Sequence, residues 1–183
     1  MKRTIVDRLY NQFGEIVDQM GDTEITLRLT AEENFRKGLL LASASYFENR
    51  ITETLLGMVS NATNNNLTVD EFFRNKAISR QYHTYFQWES SNANSFFGLF
   101  GEGFKLHMKE KTRNSAELSN SIKAFLEVGL ERNRLVHQNY ATFTLEKDTD
   151  EIYALYTSAR FFVEEFPALV QQYNENVVEN EGA

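Results

Sequence analysis

Arg132, Asn133 and His137 stand in the run RNRLVHQNY, residues 132–140, and their types suit proton transfer and phosphate binding. An imidazole exchanges a proton near neutral pH. A guanidinium presents a planar fork to phosphate oxygens, and a carboxamide orients either partner. RNA cleavage can use that set, since a 2′-hydroxyl must lose a proton and a leaving 5′-oxygen must gain one. At roughly 100° per helical residue, Asn133 and His137 share a face, whereas Arg132 and His137 point roughly 140° apart. On angle alone Arg134 is better placed. Arg132 reaches the histidine only by wrapping its side chain round the helix, by a departure from ideal geometry, or by working with groups of another chain. The plain alternative is a helix-terminal cap, with His137 or an arginine held near the last carbonyls by the helix dipole.

The elements that must position these residues read as helices. Apolar residues keep helical rather than alternating spacing over most of the chain, and one proline and nine glycines leave little punctuation. A first helix carries Ile5, Val6, Leu9, Tyr10, Phe13, Ile16, Val17 and Met20 on a stripe expected to be core, and stops at Gly21. In TEITLRLT, Ile25, Leu27 and Leu29 alternate with polar residues as an extended segment would, so residues 1–29 read as a helix plus an extended piece. Thr30 with Glu33 then reads as a capping box before a long helix, and Thr68 with Glu71 as another before EFFRNKAISRQYHTYFQW. Phenylalanines 96, 97, 100 and 104 read as core or dimer interface rather than a base-stacking platform. Asn114 with Glu117 caps the helix that ends in the motif, and Asp148 with Glu151 caps a last helix that Pro167 should kink or restart. Residues 174–183 are acidic and small and read as a frayed tail. No internal repeat or long linker divides the chain, so residues 1–183 read as one domain.

Composition narrows the function. A net charge of −7 argues against a protein that coats nucleic acid through a broad basic face, although it leaves room for an enzyme gripping a few phosphates. Arg74, Lys76 and Arg80 form one local basic cluster, and Lys105, Lys109, Lys111 and Arg113 another; each reads first as a solvated helix face. The absence of cysteine removes disulfides and thiolate metal sites and suits a reducing interior, so a cytoplasmic location is expected. No apolar run approaches the roughly 20 residues that span a bilayer. His83 and His107 read as packing or surface residues, and no metal-ligand spacing is present.

The stretch RNRLVH resembles the RN-x-x-x-H signature of the HEPN superfamily, many of whose members are ribonucleases of toxin–antitoxin, antiviral and RNA-processing systems. The likeness spans roughly residues 30–167 in architecture and implies an all-α, HEPN-like helical bundle with long antiparallel helices and short additional ones. It implies Arg132, Asn133 and His137 as the site, with Glu48, from ASASYFENRITETLL, as a supporting acid on an earlier helix. Arg134 falls at a variable position of the signature. Asn139 stands where superfamily toxins silenced by nucleotidyl transfer carry a tyrosine, and Tyr140 comes one place later. The resemblance further implies a metal-independent, cofactor-free endoribonuclease working as a homodimer, leaving a 2′,3′-cyclic phosphate. RNA is then the substrate, and an antitoxin or partner defence protein a further partner. The alternative is a non-catalytic module of the same fold that binds a nucleotide or RNA end, or docks a partner.

Overall fold

The computed structural model describes residues 3–20 and 25–181, with side chains of the last helix as far as Val178. Among these residues every regular element is helical: α1 (Ile5–Met20), α2 (Ile25–Ala62), α3 (Leu67–Phe73), a π-helical turn (Arg74–Ile78), α4 (Tyr82–Tyr85), α5 (Asn94–Gly98), α6 (Glu102–Asn114), α7 (Ala116–His137) and α8 (Thr149–Glu181). The protein is all-α. Three long helices, α2, α7 and α8, form the frame. Lys147 at the entry to α8 pairs with Glu127 at 2.7 Å, while Phe125, earlier on α7, meets Phe162, further along α8, so α7 and α8 run antiparallel.

An aromatic seam joins the frame. Phe47 of α2 meets Phe125 of α7 at 5.6 Å between ring centroids and Tyr156 of α8 at 5.4 Å, and Phe125 meets Phe162 at 5.3 Å. All four are essentially inaccessible, and burying each such side chain contributes about 1.5–3 kcal/mol. Phe96, Phe97 and Phe104 are buried against Phe162 and Phe166, so the phenylalanine stripe is core. A polar cluster ties α1 to α8: Asp7 accepts hydrogen bonds from the Thr4 amide (2.6 Å), the Tyr153 hydroxyl (2.9 Å) and Arg160 (3.3 Å).

Several local signals resolve differently from their sequence reading. Ile25, Leu27 and Leu29 belong to α2, and all three are exposed. Extending an existing helix by a turn costs far less than nucleating one, so this segment follows the long helix despite its alternation and its β-branched Ile25, Thr26 and Thr30. Thr30 consequently sits inside α2, its hydroxyl donating to the Thr26 carbonyl at 2.9 Å, and Glu33 pairs with Lys37 instead of capping. Asn66, not Thr68, caps α3, and Ser115, not Asn114, caps α7. The Asp148–Glu151 box forms as read, with reciprocal bonds of 2.9 and 2.8 Å. The α1 stripe is only partly core: Val6 is buried, but Ile5 and Ile16 are exposed. Gly21 lies outside the described residues. Pro167 does not restart the last helix, since buried Val163, Phe166 and Val170 hold α8 together on both sides of it. Residues 174–181, read as frayed, continue α8.

Candidate active site

Arg132, Asn133 and His137 border a single cleft of about 360 Å³ at the C-terminal end of α7. The angular problem is solved by the side chain of Arg132. Its Nη1 donates to Asn133 Oδ1 at 3.2 Å, which folds the guanidinium round the helix toward the face that carries Asn133 and His137. His137, the last residue of α7, is exposed. Its imidazole makes no hydrogen bond to the final carbonyls among the described residues, so it faces the cleft rather than capping the helix.

Glu48 of α2 lines the same cleft and is half-buried. No ion pair joins it to Arg132 among the described residues; the two charges instead act in opposite directions on the hydroxyl of Tyr82. Burial foremost, and then the Glu48 charge, push that hydroxyl well above its ordinary pKa, with Arg132 opposing, so Tyr82 is a neutral donor and acceptor there. Arg134 turns the other way: it pairs with Glu131 at 2.8 Å and borders an adjoining groove, which it shares with Trp88 and His137. Asn139 and Tyr140 do not line the cleft. Asn139 builds the turn after α7 by accepting from the Ala141 amide at 3.1 Å. Tyr140 is fastened to α2 by Lys37, which is almost wholly buried, donates to the Tyr140 carbonyl at 3.0 Å and lies 5.1 Å from its ring centroid.

The segment after the π-helical turn supplies the opposite wall, a contribution not assigned from sequence. Arg80, Tyr82, His83 and Trp88 all border the cleft. Arg80 holds a left-handed φ of 63°, a conformation that costs a non-glycine residue roughly 1–2 kcal/mol. Buried Ile78 and Tyr85 on either side, with the Tyr85 hydroxyl bonded to the Ala77 carbonyl at 2.6 Å, offset that cost. The break splits the helix expected here and divides the basic cluster: Arg74 pairs with Glu71, whereas Arg80 borders the cleft and has no ion-pair partner among the described residues. His83, read as packing or surface, is exposed and lines the same cleft as the motif, and its carbonyl accepts from the Trp88 indole at 3.1 Å. His107 lies elsewhere, packed between Phe104 and Tyr173, with burial lowering its pKa.

Trp88 approaches α7 at Gly129, where a Cβ would overlap the indole ring. On the helix Gly129 falls between the directions of Arg132 and His137, roughly 60° from one and 80° from the other. The missing side chain therefore opens the space that the motif surrounds. One signal was legible: a glycine inside a helix, three residues before Arg132, marks a close approach.

The cleft thus offers an exposed imidazole, a guanidinium braced by an amide, a half-buried carboxylate and a second cation at the rim, on an apolar and aromatic floor. Such a set can hold a phosphate and move a proton. Among the described residues no group of His, Asp and Glu is gathered to hold a metal ion, and no helix is long and apolar enough to cross a membrane. No curated protein and no solved structure gives a significant match to the chain. The sequence model of the RiboL-PSP-HEPN family matches residues 7–172, which takes in every helix that shapes the cleft, and the chain belongs to that HEPN family.

Proposed function

We propose that the protein is a metal-independent endoribonuclease of HEPN type, acting in a toxin–antitoxin, antiviral or stress-response system on RNA held at a composite dimer site. The observation that carries this reading is the convergence of Arg132, Asn133 and His137 on one open cleft, with the imidazole exposed and uncommitted. His137 takes the proton of a 2′-hydroxyl; the resulting oxyanion attacks the adjacent phosphorus; Arg132 stabilises the charge on the phosphorane. Protonation of the 5′-oxygen completes bond cleavage, leaving a 2′,3′-cyclic phosphate and a 5′-hydroxyl.

The motif supplies one histidine per chain, so a two-fold axis bringing a second motif is the simplest source of the acid. His83 in the same cleft favours a second reading, in which the acid belongs to the same chain. His83→Ala separates them: full activity assigns the acid to the second copy. A non-catalytic nucleotide-binding or partner-docking module is the alternative to both.

Incubating purified protein with total RNA and mapping the ends tests the proposal. Cleavage by the wild type, lost in His137→Ala and unaffected by EDTA, is the expected result. Cleavage retained by folded His137→Ala refutes it, and strict dependence on added metal contradicts the mechanism. Growth arrest on expression, relieved by His137→Ala, would fit the toxin or defence setting.

A further inference from the structure

The cleft has more hydrogen-bonding capacity than cleavage requires. Neither the Glu48 carboxylate nor the Tyr82 hydroxyl has a side-chain hydrogen bond among the described residues, although both are half-buried beside Phe47 and Phe125. Polar groups in an apolar recess carry a desolvation cost unless something binds them. Around them the walls are flat and aromatic. Trp88 lies 5.7 Å from Tyr82, 5.0 Å from Phe86 and 5.8 Å from Phe125 between ring centroids, and Gly129 backs it, so the indole is fixed in place. Of the two cations, Arg80 is exposed at the rim, whereas Arg132 is half-buried, as Glu48 and Tyr82 are. At about 360 Å³ the cleft is at the small end of ligand sites. It suits one flat ring system inside and a phosphate outside, not a double helix.

Resting on the ribonuclease reading of the same site, we propose that the cleft is a base-recognition pocket, in which a base from single-stranded RNA lies against Trp88 and the Glu48 carboxylate reads a guanine edge, helped by the Tyr82 hydroxyl. A carboxylate only accepts hydrogen bonds. Guanine offers it two parallel donors, N1–H and the 2-amino group, a bidentate match. Uracil presents one N–H between two carbonyl oxygens that repel the carboxylate. Adenine and cytosine, each with one amino group beside a ring acceptor, fall between. Reading one base in a pocket also suits a chain of net charge −7, which lacks the basic surface that gives sequence-blind affinity. Unpaired RNA is the form whose base edges are open to such a contact.

Trp88 is the only tryptophan of the chain, so its fluorescence reports this pocket directly. Full-length protein is titrated with guanosine, adenosine, cytidine and uridine 3′-monophosphates. Saturable quenching is expected, with the guanosine nucleotide bound about tenfold or more tightly than the uridine nucleotide, the factor that about 1.4 kcal/mol of unmatched polar contact supplies. Glu48→Gln removes most of that preference and Tyr82→Phe weakens it, both with unchanged helical circular dichroism. Equal binding of all four nucleotides, no saturable quenching by any, or a preference untouched in Glu48→Gln overturns the proposal. Cleavage without base preference would sink this inference alone, whereas base preference without cleavage would sink the ribonuclease reading and leave the pocket standing.

Discussion

The indole of Trp88 occupies the space where a side chain on Gly129 would begin. This contact joins the two walls of the cleft, because Gly129 shares α7 with Arg132 and His137 while Trp88 follows the strained turn that carries Arg80. Gly129→Ala must push the indole away. Alanine improves helix propensity by about 0.8–1 kcal/mol, yet forcing a methyl into a packed contact costs about 1–3 kcal/mol. Gly129→Ala is therefore expected to be net destabilising by up to about 2 kcal/mol, and to shift the emission of Trp88. Gly57→Ala in α2, where a Cβ meets nothing within 4 Å, is the control and is expected to stabilise by about 0.5–1 kcal/mol. Urea unfolding followed by fluorescence checks both, and a stabilised Gly129→Ala would show that the contact is not tight.

Asn133 braces Arg132, and its removal should act on catalysis rather than on the fold. With the 3.2 Å bond lost, the guanidinium is free to swing back toward its own side of α7. A misplacement of about 1 Å can cost roughly 100-fold in rate. Asn133→Ala is expected to lower kcat by about 10–100-fold while leaving the thermal midpoint within a few degrees of wild type. Arg132→Lys should do no better, since an ammonium has no planar fork to share between Asn133 and a phosphate. Steady-state cleavage of a defined oligonucleotide, beside thermal unfolding, measures both; an Asn133→Ala enzyme as fast as wild type would remove the bracing role.

The acid limb of stability should depend on Asp7. Burial alone would raise its pKa, but the Thr4 amide, the hydroxyls of Tyr153 and Thr4, and the Arg160 charge outweigh burial and hold it below the ordinary carboxylate value of 3.8. A carboxylate depressed in the folded state contributes stability that is present above its unfolded pKa and lost as pH falls through the folded one. Wild type should thus lose stability as pH falls below about 4. Asp7→Asn, destabilised near neutrality by about 1–3 kcal/mol through lost bonds to Thr4 and Arg160, should show a flatter limb, so the difference between the two shrinks toward pH 2. Urea unfolding at a series of pH values tests this. Parallel limbs would mean that Asp7 does not govern acid sensitivity.

What the sequence determined by itself is local. Helical periodicity announced the all-α class, RNRLVH announced the family, and Asp148 with Glu151 marked the start of α8, because each signal lies within a few turns of one helix. Even local signals failed where a neighbouring element competed: Thr30 lost its capping role once α2 extended back through Ile25, and Asn114 lost its own because α6 ends on it, leaving Ser115 to cap α7. Only the tertiary structure decided the shape of the cleft. Spacing placed Arg132 on the wrong side of α7, and a hydrogen bond to its neighbour corrected the direction. Arg80, Tyr82, His83 and Trp88 precede the motif by more than forty residues and carry no signature of their own. They face it because buried Ile78, Tyr85 and Phe86 anchor their segment, and because Gly129 lets the indole approach α7. Which side chains meet across such a gap depends on the packing of the whole aromatic core, and no short stretch of sequence contains that information.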